Sequence, residues 1–272
     1  MKPVPFDYVA CADIAQALAA LTVSGGMARP CSGTQSLGPM LNLRFAQPSQ
    51  LLDVSRIPAL RACVSKGDVL SIGAAVTHAQ LEDGAVPDVT GGLLPTVAAG
   101  IAYRAVRNRG TLGGSLAHAD PCADWVTTMR LLDAAMLIAG PRGERRVAAS
   151  RFFEGPFTTT LEPEELLVAV DVPCFSPQAR WAYRKACRKP GEFAESIAAA
   201  WVDPVRGVAR LVVGALSGPP QAVDGADALN ELRDAGSCRR LLDGFGVDDP
   251  YERQLHTIMI RRALDDLDRV RA

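Results

Sequence analysis

No run of this chain is apolar for the roughly 18–20 residues that crossing a bilayer requires. Leu131–Gly140 comes nearest, and Asp133 interrupts it. An excess of one charge is missing too: 29 Lys and Arg face 30 Asp and Glu, a formal net charge of −1. That balance argues against a nucleic-acid binder, whose affinity rests on cationic contacts to phosphate. Closely spaced thiols are also absent. Cys11, Cys31, Cys63, Cys122, Cys174, Cys187 and Cys238 form no C-x-x-C pair, whereas zinc ribbons and iron–sulfur sites draw thiolates from such clusters. Their odd number speaks against a secreted disulfide framework. His78, His118 and His256 make no H-x-x-x-H or H-E-x-x-H pattern, so no metal site is expected on this chain. The opening Met1–Asp7 lacks the charged-then-apolar pattern of a signal peptide, and the expected location is the cytoplasm.

What is present suits a globular fold. With 48% hydrophobic and 22% charged residues, the chain has the apolar surface to repay ordering entropy. Its 272 residues allow two domains of about 100–200 residues each. Asp13 is placed to cap a helix that Gly25-Gly26 stops. Leu51–Val54 and Val69–Gly73 read as strands, and Thr77 as the cap of a short helix through Leu81. Leu93–Ala102 reads as helix, and Asp120-Pro121 as the opening of another through Leu132, with Pro where its missing N–H costs nothing. Strands at Ala135–Ala139 and Arg145–Ala148 flank a turn at 140–143. A strand Leu166–Val172 then ends at Pro173.

The chain breaks at Ser176-Pro177, which sets an expected boundary between domains 1–175 and 176–272. The first would divide into subdomains of about 1–55 and 56–175. Beyond the break, Trp181–Lys185, Ile197–Val202 and Val208–Leu216 read as strands, and two helices close the chain. In the second, Asp249 caps, Pro250 starts, and Leu255, Ile258, Met259, Ala263, Leu267 and Val270 mark one face. Strands and helices are mixed rather than alternating, so the class is α+β.

Two segments stand out for chemistry. Ser32-Gly33-Thr34-Gln35-Ser36-Leu37 and Thr111-Leu112-Gly113-Gly114-Ser115 both combine glycine with hydroxyl residues between regular elements. Glycine lets backbone approach a ligand closely, and successive amides form an anion-binding nest to which hydroxyls add donors. Two such loops suit the two phosphates of one dinucleotide, although either alone is also an ordinary tight turn. Neither matches a Rossmann or a Walker loop. Asp120 and Asp124, four apart, would share one face at a helix N-terminus, where carboxylates complement the dipole by about 0.3–1 kcal/mol each. Asp124 is also placed to accept from a polyol. His118 reads as a polar loop residue rather than a base. Arg104, Arg107 and Arg109 form a basic run whose default is ion pairing, with phosphate contact as the alternative.

These residues carry a family resemblance. Arg29-Pro30-Cys31-Ser32-Gly33-Thr34-Gln35-Ser36-Leu37, followed by Pro39-Met40-Leu41-Asn42-Leu43-Arg44, resembles the first flavin-binding loop of the medium subunits of molybdenum hydroxylases. Val106-Arg107-Asn108-Arg109-Gly110-Thr111-Leu112-Gly113-Gly114-Ser115-Leu116-Ala117-His118-Ala119-Asp120-Pro121 resembles the second, and is the longer and more specific match. Phe152-Phe153, Glu165-Leu166-Leu167 and Tyr183-Arg184-Lys185 extend the similarity over essentially the whole chain.

The resemblance, to the carbon monoxide dehydrogenase and xanthine dehydrogenase type, implies a two-subdomain FAD-binding fold of the PCMH/vanillyl-alcohol-oxidase-like kind. A C-terminal three-stranded antiparallel sheet with helices would follow. It further implies that Ser32, Gly33, Thr34, Gln35, Ser36 and Leu37 cradle one part of the FAD pyrophosphate, completed by Thr111, Gly113, Gly114 and Ser115. Asp124 would bind ribityl or ribose hydroxyls, Ile101 and Leu167 would flank the rings, and Lys185 would lie at the flavin's polar edge. Gly33-Thr34 stands where the family often has two glycines. A positive φ at Thr34 would suit a β-branched residue poorly, with the hydroxyl compensating by donating to phosphate.

The implied role is electron transfer. Molybdopterin and iron–sulfur clusters would sit on a large molybdenum subunit and a small iron–sulfur subunit, in a heterotrimer or its dimer, and electrons would pass through FAD to an external acceptor. No catalytic acid or base is expected on this chain, because the cofactor carries the hard chemistry. Two other readings differ in class: a stand-alone flavin oxidoreductase, which needs a base and a substrate pocket, and a flavin-free structural or interaction subunit.

Overall fold

The structure, a computed structural model, describes residues 2–269. Its first sheet is parallel and three-stranded, with Gln50–Asp53 in the middle and Asp7–Ala10 and Ala28–Cys31 at the edges. Asp13 caps the helix Ile14–Val23 by accepting from the Gln16 amide, as its side chain suggested. That helix buries Ala17 and Leu21 against Cys11, Ala28 and Leu52 of the sheet.

The second sheet is antiparallel, in the order Cys63–Lys66, Val69–Gly73, Leu166–Pro173, Ala135–Gly140, Gly143–Ala148. Between its second and fourth strands in that order the chain makes an excursion through five helices: His78–Glu82, Leu93–Ala99, Arg104–Arg107, Leu112–His118 and Asp124–Leu132. Their apolar residues, among them Leu93, Val97, Leu116, Trp125 and Met129, fill the main core over Ile72, Met136 and Val170.

The third sheet has four strands, not three. To Arg180–Ala186, Ser196–Asp203 and Val208–Gly214 it adds Gln221–Asp224, antiparallel to the third of these. The extra strand is short, exposed at both ends and bounded by Pro220 and Gly225, so it carries little alternating pattern. The strand Ser196–Asp203 is buried on both faces. Ala199 and Trp201 join the main core, whereas Ala198 and Ala200 face the C-terminal helices. Small side chains there let helices close on the sheet from either side.

Three helices rather than two close the chain: Ala226–Glu231, Ala235–Gly244 and Pro250–Arg269. Asp249 does accept from the Glu252 amide. The last helix buries His256, Met259, Ile260, Ala263, Leu264 and Leu267, while Ile258 is exposed and Leu255 half-buried. Its inner face is therefore turned from the expected one, and Val270 lies outside the described residues. Leu93–Ala99 is shorter than expected: it closes at Gly100, and Ala102 beyond it takes φ 45°. The helix expected from Asp120 begins at Asp124. Asp120 instead accepts from the Cys122 amide in a tight turn and stands outside the helix. No helix among the described residues is long and apolar enough to cross a membrane.

Candidate functional site

The two glycine-and-hydroxyl loops meet. Gly33 is buried against the second loop so closely that a Cβ there would stand 2.2 Å from the Arg109 carbonyl oxygen and 2.7 Å from Gly110 Cα. Gly113 is as tightly placed on the other side, where a Cβ would lie 2.4 Å from that of Ala74. Both glycines therefore serve backbone packing within the protein. Gly114 differs: it is exposed, and a Cβ would meet only the Thr111 hydroxyl, at 2.8 Å.

The second loop is clasped from beneath by residues 74–78. The His78 amide donates to Gly110 O, Leu112 N to Val76 O and Gly113 N to Ala74 O, all at 2.9 Å. Thr111 caps the helix Leu112–His118 by accepting from the Gly114 amide at 3.2 Å. The imidazole of His78 lies under Gly110 and accepts at Nδ1 from Trp125 Nε1 at 3.0 Å. Burial, assisted by Arg107, lowers its pKa from 6.5 to about 4, so it stays neutral. Sequence patterns gave no sign of this buried support.

In the first loop, Thr34 takes φ 58°. Its hydroxyl donates to Gly33 O at 2.8 Å, and Gln35 Nε2 donates to the same carbonyl at 2.9 Å. The single hydroxyl proton expected on phosphate is thus spent within the loop. Ser32 Oγ is buried with no hydrogen-bond partner, and the Ser36 hydroxyl caps nothing in the helix Leu37–Asn42. An orphaned buried hydroxyl costs about 1–3 kcal/mol.

A second group assembles around Asp124, the first residue of its helix and 5% exposed. Oδ1 accepts from the Tyr183 hydroxyl at 2.7 Å and Oδ2 from Lys185 Nζ at 2.9 Å. Lys185 also approaches Gly100 O at 3.5 Å, beside half-buried Ile101. Burial pushes the Asp124 carboxyl up, opposed by the Lys185 charge and by both donors. Burial, with Asp124 adding to it, raises Tyr183 well above 10, so its phenol remains a donor. Leu167 lies in the main core beside the register shift between Leu167 and Ala169, in the same apolar cluster against which Ile101 packs. His118 ends its helix half-buried, with its ring centroid 5.1 Å from that of Phe157.

The basic run divides. Arg107 pairs with Glu82 at 2.7 Å and donates to the Ile101 and Ala102 carbonyls, fixing the turn that carries Ile101. Arg104 pairs with Glu82 and Asp83. Both therefore follow the ion-pair default. Among the described residues no group of three or more His, Cys, Asp or Glu is placed to hold a metal ion.

The model of the family described as "FAD binding domain in molybdopterin dehydrogenase" matches residues 4–175. Over 194 residues the chain is 39% identical to the carbon monoxide dehydrogenase medium chain of Hydrogenophaga pseudoflava, covering 71% of this chain and 68% of that one. It is 35% identical over 237 residues to the 6-hydroxypseudooxynicotine dehydrogenase complex subunit alpha of Paenarthrobacter nicotinovorans, covering 86% and 80%. A solved structure of the Hydrogenophaga pseudoflava carbon monoxide dehydrogenase superposes with a TM-score of 0.90 at 31% identity, over 99% of each chain.

Proposed function

The chain belongs to the family of FAD-binding medium subunits of molybdenum hydroxylases, and from that premise we propose that residues 32–37 and 111–115 together clasp the pyrophosphate of one FAD. The observation that carries this reading is the locked pair of loops with Ser32 Oγ orphaned inside it. A buried hydroxyl without a partner fits a group rich in acceptor oxygens, and the open face of Gly114 fits close approach of that group. When bound, the flavin supplies the capacity to exchange electrons singly or in pairs.

The chain's own residues then bind and orient. Thr111, Gly113, Gly114 and Ser115 complete the cradle begun by Ser32 to Leu37. Each oxygen of Asp124 already accepts one hydrogen bond and keeps a lone pair for a ribityl or ribose hydroxyl. Ile101 and Leu167 flank the ring system, and Lys185 presents its ammonium to the flavin's polar edge. Residues 1–175 form the flavin-binding part, with subdomains of about 1–55 and 56–175 in the PCMH/vanillyl-alcohol-oxidase-like arrangement. Residues 176–272 form the C-terminal domain.

The cysteines of this chain form no C-x-x-C pair, and among the described residues none stands in a group able to hold a metal ion; the iron–sulfur clusters and molybdopterin belong to a small and a large partner subunit, in a heterotrimer or its dimer in the cytoplasm. Loaded with FAD, the chain would serve to relay electrons between those clusters and an external acceptor, and the choice of the hydroxylated substrate would lie with the molybdenum subunit. The visible absorbance spectrum of the purified chain, with identification of released flavin, tests the reading. About one FAD per chain is expected. A colourless chain that takes up no added FAD, alone or with its partners, overturns it and leaves a scaffold.

A further inference from the structure

The strand Arg180–Ala186 shows a division of labour along its pleat. Successive side chains of a strand point to opposite faces. Arg184 reaches Asp266 of the last helix, and Ala182 joins the apolar cluster on that side. Trp181, Tyr183 and Lys185 take the other face, where Trp181 donates to Gly91 O at 2.7 Å and the other two converge on Asp124. One carboxylate thus accepts a phenol at 2.7 Å and an ammonium at 2.9 Å, an oxygen to each. The Asp124 and Lys185 side chains are only 6% and 10% exposed.

Lys185 is where this buried arrangement reaches the surface. One ammonium proton goes to Asp124, a second faces the more distant Gly100 carbonyl, and the third is uncommitted in the hydrogen bonds of this residue. Beside it runs an open groove of about 480 Å³ lined by Gly100, Ala102, Tyr103, Lys185 and Gly191 among others. The field that Lys185 projects there depends on how fully Asp124 neutralises it. In surroundings this dry, a donor to the carboxylate has a large effect on that balance, because hydrogen bonds polarise one another where water does not screen them.

We propose that Tyr183 is a positioning residue for the flavin's redox poise: its bond to Asp124 Oδ1 draws negative charge away from Oδ2 and leaves more of the Lys185 charge to act on the groove. This inference rests on the assignment of Lys185 to the flavin's polar edge. Two physical points support it. Tyr183 is locked as a donor, because burial and the carboxylate itself keep the phenol protonated. In addition, the carboxylate is held from one strand by two residues two positions apart, so its orientation relative to Lys185 is fixed by the pleat and not by a flexible loop. Without the phenol, Asp124 turns its whole charge on Lys185. A flavin gains negative charge as it is reduced, so a weaker positive field makes it harder to reduce.

The test is the reduction potential of the flavin on the full chain loaded with FAD, wild type against Tyr183→Phe, equilibrated with a reference dye at one pH. The ring is kept, so core volume is unchanged. Tyr183→Phe is expected to bind FAD and to shift the reduced-to-oxidised ratio toward oxidised by about threefold or more. The same chain carrying 3-fluorotyrosine at position 183 alone, whose more acidic phenol is a stronger donor, should shift the ratio the other way. That second measurement decides the matter if the Phe variant does not fold. A Phe variant that melts earlier yet holds FAD at the wild-type potential, or a fluorinated chain with an unmoved potential, reduces Tyr183 to a structural tie and overturns the inference while the flavin assignment stands. A wild-type chain that binds no FAD overturns both.

Discussion

Gly33 and Arg109 are in backbone contact: a Cβ on Gly33 would stand 2.2 Å from the Arg109 carbonyl oxygen. Adding that atom forces one loop off the other, and overpacking of this kind costs about 1–3 kcal/mol. Gly33→Ala is therefore expected to lower the melting temperature and to empty the flavin site together. Gly114→Leu should separate the two effects, because its Cβ meets only the Thr111 hydroxyl, at 2.8 Å, and no backbone. Its stability in the absence of flavin should fall by no more than the loss of the Thr111 cap, about 1 kcal/mol, while visible flavin absorbance is lost. Flavin retained in Gly114→Leu would mean that the cofactor does not approach this face.

Thr34 is held at φ 58°, a left-handed conformation that costs an L-residue about 1–2 kcal/mol. Its hydroxyl bond to Gly33 O recovers about 0.5–1.5 kcal/mol of this. Thr34→Gly removes the strain and the hydroxyl together, and its net effect on stability is expected to be within about 1 kcal/mol. Thr34→Val keeps the strain and loses the bond, so it is the destabilising member of the pair. FAD affinity, read by flavin fluorescence, should be at least as high in Thr34→Gly as in wild type and lower in Thr34→Val. A clear loss of affinity in Thr34→Gly as well as in Thr34→Val would place the hydroxyl on the cofactor.

Lys185→Met leaves a carboxylate buried with the phenol alone for company. Removing one partner of a buried pair costs about 3–5 kcal/mol, so chemical denaturation should show a large loss. Adding Asp124→Asn to the same chain removes the stranded charge and should recover part of it. A Lys185→Met chain as stable as wild type would show that Asp124 is protonated in the folded state.

Much of this was legible in the residues because local chemistry decided it. Asp13, Thr77 and Asp249 cap where their side chains suggested. Glycine-rich loops stand out as breaks in periodicity, and a β-branched Thr34 beside Gly33 already points to the strain that its φ of 58° shows. Other features were set by contacts remote in sequence. Asp120-Pro121 satisfies every local rule for a helix start, yet Asp120 closes a turn and the helix begins at Asp124. The last helix turns Ile258 outward and buries His256, since Ser196, 60 residues earlier, supplies the partner for the imidazole at 2.8 Å. In the sequence Tyr183 carries no signal beyond its place in the run Tyr183-Arg184-Lys185. Its tie to Asp124 spans 59 positions, and no periodicity carries such information. The strand Gln221–Asp224 was missed because an edge of four residues shows no repeat long enough to read.

Acid should loosen the fold through its buried imidazoles, His78 and His256 above all, with half-buried His118 lowered in the same direction. Burial holds His78 and His256 neutral, each lowered from 6.5 to about 4. Between those values the unfolded chain binds protons that the folded chain refuses, so stability rises with pH across that window. The contribution is complete above about pH 6.5, is lost progressively as the pH falls toward 4, and adds no further loss below it. Each shift corresponds to about 3 kcal/mol. Urea denaturation at stepped pH should show this fall, and His256→Gln should reduce the slope while costing stability at neutral pH through the lost Ser196 bond. His78 has a further consequence. A proton on its Nδ1 removes the acceptor for Trp125 and puts charge directly beneath Gly110, so the loop that carries Thr111 and Gly114 loses its support. Flavin release on acidification should therefore precede global unfolding, and it should still do so in His256→Gln. Release that tracks unfolding in both chains would mean that His78 supports the fold and not the loop.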